Sequence, residues 1–281
     1  MTDKYAVIGN PVSHSKSPLI HRMFAEQTGQ DIFYEAIEAP LDGFTTKIEE
    51  LQTKGYKGCN ITVPFKFEAF KIANNVSNEV VDAIDSGDKA DAVNTLDFRN
   101  NEIIGYNTDG IGLVTDIEQN HKFPLKNKRV LLIGAGGAAA GVLHPLLEAS
   151  QVPLIIYNRT LAKALGLQKK IAQHTKFRLY SIRATAFGDL KDEQFDVVIN
   201  ATSTGLTDSE IPLPKAIFAP GALAYDMMYG RETPFMTFAR EHGAQVADGL
   251  GMLVEQAAES FFIWRGVRPD TRLVLEKLRA A

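Results

Sequence analysis

Short apolar runs alternate with stretches of helical periodicity along most of the chain, a pattern typical of α/β proteins with parallel strands. The apolar runs predict strands over 5–9, 32–37, 58–63, 92–98, 103–107, 129–133, 154–157, 195–200 and 222–226. The helical periodicity predicts helices from Pro18, over 41–53, from about Ile111, and over 139–147, 252–264 and 271–278. The strands within 92–107 are expected to pair around a turn at Asn100 and Asn101.

The run from Gly58 to Lys66 begins like a buried strand and stops at Pro64, which cannot continue a central ladder. Asn60 and Thr62 have the same parity, so the strand would point both side chains to one face. Open α/β sheets bind ligands at the carboxyl ends of their strands. Lysine beside apolar neighbours is also a candidate for proton transfer. The alternative is a strand, a turn and a solvated lysine.

A glycine-rich turn follows the strand predicted at 129–133 and precedes a helix of small residues. It reads Gly134, Ala135, Gly136, Gly137, Ala138 and Ala139. In such a motif the first glycine makes the tight turn and the second lets the backbone reach a pyrophosphate. Ala139 is small enough for the helix to pack closely on the sheet. The sequence therefore predicts a Rossmann dinucleotide-binding site here.

The residues after the next strand indicate which dinucleotide is bound. An NAD site usually carries a carboxylate there for the ribose 2′-hydroxyl, and this chain has none. Arg159 can grip a 2′-phosphate in a bidentate manner, and Asn158, Thr160 and Lys163 can add hydrogen bonds or charge. We therefore predict NADP(H). The alternative is that Arg159 is a solvated loop charge and that cofactor choice is made elsewhere.

Polar side chains in the first part of the chain suit a polyhydroxylated small molecule, because each ligand hydroxyl needs a partner once water is removed. They are Ser15, Ser17, Asn60, Thr62, Lys66, Asn94 and Asp109. The sequence has no His/Cys cluster with metal-ligand spacing, so we expect no metal site, and it contains no nucleophile motif.

Composition narrows the function class further. The chain has 281 residues, 45% of them apolar and 23% charged, as in a globular protein of about two domains. A net charge of −4 gives no reason to expect binding to nucleic acid or to a membrane surface. The single cysteine excludes an internal disulfide. With no visible signal peptide or long apolar run, the sequence predicts a cytoplasmic protein.

Several motifs together resemble the shikimate/quinate dehydrogenase family along nearly the whole chain. They lie at 9–18, 60–66, 92–95, 107–110, 134–139, 158–160, 200–203, 226–229 and 247–256. The resemblance implies a shikimate dehydrogenase, an oxidoreductase that reversibly reduces 3-dehydroshikimate with NADPH. It also implies two α/β domains with a cleft between them. The mostly parallel substrate domain would comprise 1–108 and 251–281, and the Rossmann domain 109–250.

By position, the resemblance makes Lys66 and Asp109 the catalytic pair. The implied substrate contacts are Ser15, Ser17, Asn60, Thr62, Lys66, Asn94, Asp109, Tyr229 and Gln256. The implied cofactor contacts outside the glycine turn are Asn158, Arg159, Thr160, Lys163, Thr202, Met227 and Gly249. Two features depart from the family: an extra loop around 85–89 and Asp91, where glycine is common.

Two alternatives stay open at this point. One is a quinate/shikimate dehydrogenase that prefers NAD, and the other is a non-catalytic paralogue that keeps the fold. Arg159 argues against the first, and an intact pair of Lys66 and Asp109 argues against the second. The expected partner is a small molecule, and the expected assembly is a monomer or homodimer.

Overall fold

A computed structural model of the chain describes residues 2–76, 92–99, 102–172, 182–190, 192–206 and 209–280. These residues form two compact units. One contains the described residues up to 112 together with 253–280, and the other contains 113–252. The predicted extra loop at 85–89, Asp91 and the turn at 100–101 lie outside the described residues.

The first part of the chain contains β1 (Asp3–Gly9), α1 (Ser17–Thr28), β2 (Ile32–Glu38), α2 (Phe44–Thr53), β3 (Tyr56–Ile61), α3 (Lys66–Ile72), β4 (Asn75–Val76), β5 (Thr95–Arg99), β6 (Glu102–Tyr106) and α4 (Asp109–Thr115). The second part contains β7 (Val130–Ile133), α5 (Gly137–Ser150), β8 (Leu154–Asn158), α6 (Leu161–Ala172), β9 (Ile182–Ala186), β10 (Phe195–Asn200), β11 (Phe218–Asp226), α7 (Pro234–Glu241), β12 (Gln245–Ala247), α8 (Leu250–Arg265) and α9 (Thr271–Ala280).

The sheet of the first unit has the strand order β2-β1-β3-β5-β6-β4. β1 runs parallel to β2 and β3, and the β5–β6 hairpin runs antiparallel to β3. Backbone hydrogen bonds from Thr62 N to Ile8 O (2.8 Å), Ile61 N to Asn94 O (2.7 Å) and Asn94 N to Tyr106 O (3.0 Å) extend this pairing. The ends of β1, β3 and β6 and the start of β5 therefore meet at one edge.

The C-terminal part of α8 completes the core of the first unit. The Trp264 ring stacks on Tyr5 with ring centroids 4.6 Å apart, and its Nε1 donates to Leu96 O at 3.1 Å. A Cβ on Gly58 would lie 2.4 Å from Leu96 O and 2.6 Å from Trp264 Nε1, so only glycine permits this close approach. The predicted domain boundaries stay a prediction; the chain passes between the compact units at 112/113 and 252/253.

The sheet of the second unit has the order β12-β11-β10-β7-β8-β9, and every pairing between these strands is parallel. Read from β9, this is the strand order of dinucleotide-binding folds. Val130 and Leu132 pack into one core, and Leu131 and Ile133 pack into the core on the other face. Burial on both faces explains why these strands are continuously apolar. The predicted α/β class with a Rossmann unit is confirmed.

Some predicted bounds differ from the structure. α2 begins at Phe44 rather than Leu41, because a turn joins Gly43 N to Pro40 O at 3.0 Å. β3 ends at Ile61 rather than at 63. The elements α3, β4, α6, β9, α7 and β12 were not predicted, since they are short or their apolar patterns are interrupted by polar residues. No helix in the described ranges is long and apolar enough to cross a membrane.

Candidate active site

Lys66 and Asp109 each begin a helix at the common edge of the first sheet. Lys66 is the first residue of α3, and Asp109 is the first residue of α4. Their side chains form an ion pair with Nζ 2.6 Å from Oδ2. The lysine side chain is 17% exposed and the aspartate 8%, so the ammonium keeps limited access to a ligand. The structure thus brings the predicted catalytic pair together.

Asn94 holds the other oxygen of this carboxylate. Its Nδ2 donates to Asp109 Oδ1 at 2.9 Å and to Gln256 Oε1 at 3.3 Å. Its Oδ1 accepts from Thr108 N at 2.9 Å, and Asn107 Oδ1 accepts from Asp109 N at 3.0 Å. The carboxylate is therefore fixed by bonds to both oxygens and to its own backbone.

The predicted polar residues after β1 and β3 lie at the same edge. Thr62 is half-buried in the turn between β3 and α3, and a Cβ on Gly9 would lie 2.4 Å from its Cγ2. In the segment before α1, Ser15 Oγ accepts from Ser17 N at 3.2 Å. Glycine at the end of β1 therefore makes room for the threonine side chain.

The side-chain amide of Asn60 is hydrogen-bonded to buried groups through both its oxygen and its nitrogen. Its Oδ1 accepts from Tyr34 Oη at 2.7 Å, while its Nδ2 donates to Thr95 Oγ1 at 3.0 Å and to Ser260 Oγ at 2.9 Å. The parity argument paired it with Thr62, but Thr62 lies beyond the last residue of β3. The structure therefore places Asn60 among the groups that support the site.

A buried aromatic cluster lies next to Asn60. His21 has no exposed surface, and its ring stacks on Tyr34 with centroids 4.1 Å apart. Burial lowers the pKa of His21 to about 3 and raises the pKa of Tyr34 well above its usual range. Both side chains are therefore neutral near pH 7.

Sequence reasoning missed four hydroxyl groups that touch the site's amides: Tyr34, Thr95, Thr108 and Ser260. Each hydrogen-bonds Asn60, Asn94 or both. For two of them, Thr95 and Thr108, the sequence offered a local signal, because each threonine directly follows an asparagine, Asn94 or Asn107. The partners on β2 and α8 become visible only once the chain is folded.

The glycine turn of the second unit lies between β7 and α5, as predicted. Gly134 has φ of +115°, and its N donates to Tyr157 O at 2.9 Å. A Cβ on Gly134 would lie 3.0 Å from Ala201 O, whereas nothing lies within 4 Å of one on Gly136. Ala139 is fully buried, while Ala135, Gly137 and Ala138 are half-buried. An exposed backbone before a helix N-terminus fits a pyrophosphate.

Beyond Asn158, the last residue of β8, the predicted cofactor residues are open to solvent. Asn158 is half-buried, and its Nδ2 donates to Thr160 O at 2.8 Å, which shapes the turn into α6. Arg159, Thr160 and Lys163 are exposed. Two cationic side chains at this strand end, with no carboxylate from 154 to 172, fit a phosphate-bearing ribose.

The remaining predicted cofactor residues, Thr202, Met227 and Gly249, follow β10, β11 and β12 respectively. Thr202 Oγ1 donates to Asn200 Oδ1 at 2.7 Å. A Cβ on Gly249 would lie only 2.2 Å from Met227 O, so glycine is needed there. Tyr229 is half-buried, and burial raises the pKa of its hydroxyl. All of these residues, Tyr229 included, belong to the second unit.

The sequence matches three family models. They are the shikimate dehydrogenase substrate binding domain over residues 7–96, shikimate/quinate 5-dehydrogenase over 117–207 and the shikimate 5′-dehydrogenase C-terminal domain over 249–279. A curated relative, the shikimate dehydrogenase (NADP(+)) of Methylobacillus flagellatus, is 58% identical over 280 residues. The match covers 99% of this chain and 100% of the relative.

Two solved structures have closely similar folds. An Ael1 enzyme from Pseudomonas putida is 47% identical, with a TM-score of 0.87, and the match covers 99% of this chain and 98% of that one. The shikimate 5-dehydrogenase of Thermus thermophilus in complex with NADP(H) and shikimate is 31% identical, with a TM-score of 0.83. That match covers 99% of each chain.

Proposed function

The chain belongs to the shikimate dehydrogenase family, and we propose that it reversibly reduces 3-dehydroshikimate to shikimate with NADPH. This is an oxidoreductase reaction at a CH–OH group in the shikimate pathway to aromatic amino acids. The observation that carries the proposal is the ion pair of Lys66 and Asp109, 2.6 Å apart and braced by Asn94. A pure binding protein has no need of a proton donor held in this way.

In the proposed mechanism, Lys66 gives a proton to the substrate oxygen that becomes the hydroxyl. Asp109 holds the ammonium in place and accepts a hydrogen bond from the neighbouring substrate hydroxyl. Because Asn94 donates to the other oxygen of Asp109, the carboxylate is fixed before substrate arrives. Positioned proton transfer of this kind contributes about 10²–10⁴-fold to a rate.

The substrate contacts in the proposal come from polar groups that each suit a hydroxyl or carboxylate. They are Ser15, Ser17, Thr62, Asn94 and Gln256 of the first unit and Tyr229 of the second. Asn60 contributes indirectly, because its amide is already bonded to Tyr34, Thr95 and Ser260. Sites built to hydrogen-bond a hydroxyl discriminate strongly against ligands that lack it.

NADP(H), when bound, supplies the hydride. The residues proposed to hold it are Gly134 to Ala139 at the pyrophosphate, Asn158 to Lys163 at the 2′-phosphate, and Thr202, Met227 and Gly249. The open backbone at Gly136 and the exposed Arg159 and Lys163 support this assignment.

The experiment is an initial-rate comparison of NADPH and NADH, each with dehydroshikimate and with dehydroquinate. We expect the highest kcat/KM for NADPH with dehydroshikimate. A preference for NADH with dehydroquinate would make the protein a quinate/shikimate dehydrogenase. Absence of turnover with every pair would make it a non-catalytic paralogue and overturn the proposal.

We further propose that the protein acts in the cytoplasm, where NADPH is a common reductant, as a monomer or homodimer. Cell fractionation tests the location. Light scattering of the purified protein, with and without NADPH, distinguishes the two assemblies.

A further inference from the structure

We propose that Thr95 is a positioning residue whose hydroxyl sets the orientation of the Asn94 amide and, through it, of Asp109 at Lys66. This inference rests on the proposed function, because it assigns a role in that reaction. Thr95 opens β5 and has no exposed surface, so its hydroxyl cannot touch substrate. It acts only through its neighbours.

The direction of the hydrogen bonds between Thr95 and the amides of Asn60 and Asn94 follows from which amide atom faces the hydroxyl. Asn60 Nδ2 lies 3.0 Å from Thr95 Oγ1, and an amide nitrogen can only donate. Asn60 Nδ2 also donates to the backbone oxygen of Asn94 at 3.3 Å, and a carbonyl only accepts, so the amide is held in that sense. Its Oδ1 then accepts from Tyr34 Oη at 2.7 Å. Thr95 Oγ1 therefore accepts from Asn60 and keeps its own proton for another group.

Asn94 Oδ1 receives that proton. It lies 2.9 Å from Thr95 Oγ1 and carries no hydrogen of its own. Ser260 Oγ lies 2.8 Å from Thr95 Oγ1 and 3.0 Å from Gln256 O, so its one proton can go to either oxygen. When that proton turns to the threonine, Thr95 accepts two hydrogen bonds and donates one to Asn94. In this arrangement the bonds run in one sense from Tyr34 through Asn60 and Thr95 to Asn94.

The orientation of Asn94 decides what Asp109 meets. With Oδ1 held by Thr95 and by Thr108 N, the Asn94 Nδ2 faces Asp109 Oδ1 at 2.9 Å. A flipped amide would instead place its oxygen against the carboxylate, which would lose a donor and meet a repulsive partner. Asp109 would then be free to turn away from Lys66.

The first test removes the hydroxyl at constant shape with Thr95→Val. We expect kcat to fall about tenfold while the KM for dehydroshikimate changes little, because only the alignment of the proton donor is lost. Thr185→Val is the matched control: the same change at a buried threonine in β9 of the second unit. It should keep the wild-type kcat.

A second pair of variants keeps the inference testable if Thr95→Val does not fold. Thr95→Ser and Thr95→Cys both lose the methyl group and differ only in oxygen against sulfur, and a thiol is a weak donor. We expect Thr95→Ser to keep near wild-type kcat and Thr95→Cys to lose most of what Thr95→Val loses. Equal kcat in the two variants would overturn the proposal.

A double-mutant cycle separates positioning from general destabilisation. If Thr95 acts through Asp109, adding Thr95→Val to Asp109→Asn should lower kcat no further. Additive losses would contradict the inference. Failure of the wild-type enzyme to reduce dehydroshikimate with NADPH would instead overturn the proposed function, so the two failures are distinguishable.

Discussion

The proposed reaction needs a proton-transfer site in the first unit and a phosphate-binding site in the second, and the two differ in how far their side chains are buried and held by hydrogen bonds. In the first unit, the Asp109 carboxylate is bonded to Lys66 and Asn94, and only 8% of its side chain is exposed. In the second unit, Arg159 and Lys163 are exposed to solvent. Groups that move a proton gain from being fixed beforehand. Groups that grip a phosphate find their partner in the ligand itself, so the protein leaves them accessible.

The largest effect on kcat is expected from removing the proton donor. Lys66→Ala should lower kcat by about 10²–10⁴-fold while leaving shikimate binding largely intact, because the remaining polar contacts stay in place. NADPH consumption gives the rate, and calorimetry gives the affinity. Lys47→Ala removes a surface lysine paired with Glu50 and serves as the control. Near-normal turnover of Lys66→Ala would refute the proposed role.

A substitution among the exposed residues of the second unit should affect only the binding of the cofactor. Arg159→Ala should raise the KM for NADPH by about 10–100-fold, as expected for loss of a charge-assisted hydrogen bond, and leave the KM for NADH nearly unchanged. Arg183→Ala, in β9 of the same unit, is the control. Equal effects on both cofactors would show that Arg159 does not recognise the 2′-phosphate.

Gly136 sharpens the contrast between residues that serve the fold and residues that serve a ligand. Since nothing lies within 4 Å of a Cβ at this position, Gly136→Ala should leave the thermal midpoint almost unchanged. It should still raise the KM for NADPH about tenfold, because a methyl group blocks close approach of the pyrophosphate.

Gly58→Ala gives the opposite case, because its Cβ would lie 2.4 Å from Leu96 O. The thermal midpoint of this variant should be well below that of the wild-type protein. A lower thermal midpoint for Gly136→Ala than for Gly58→Ala would show that glycine at 136 is required by the fold. It would contradict the interpretation that the space there is kept for a ligand.

The smallest expected effect concerns acid stability of the first unit. The pKa of His21 is lowered by burial to about 3, from 6.5. The unfolded chain therefore binds a proton that the folded chain does not, and stability falls as pH drops below 6.5. The slope is about 1 kcal/mol per pH unit.

Urea unfolding at pH 6.5 and 5.5, followed through Trp264 as the single tryptophan, measures this slope for the first unit. His21→Phe should reduce it, whereas His14→Gln, at an exposed loop position, should not. An unchanged slope in His21→Phe would contradict the assignment.

Local sequence patterns predicted the α/β class and the glycine turn because both depend on neighbours along the chain. The continuous apolar run at 129–133 becomes β7, buried on both faces, and the glycines after it lie between strand and helix. β9 was not predicted, since the run Ile182–Ala186 mixes apolar with polar residues and gains its place by pairing with β8.

The same reasoning singled out Lys66 and Asp109, which the structure pairs, but it did not predict the residues that support them. The lysine and aspartate stand out by charge beside strand ends. Asn60 could not be separated from Thr62 by parity, because the strand ends between them. Ser260 belongs to a helix 200 residues away from Asn60, and no local pattern predicts that they touch.

The return of α8 to the first unit has a consequence for synthesis on the ribosome. Phe24 and Tyr5 meet their partners Phe261 and Trp264 only after residues 113–252 have been made, which takes roughly 10–30 s. Until then the nascent first unit presents an uncovered apolar face. The described residues of the second unit all lie within 113–252, so they can pack together before α8 is complete. The first unit is therefore begun first and completed last.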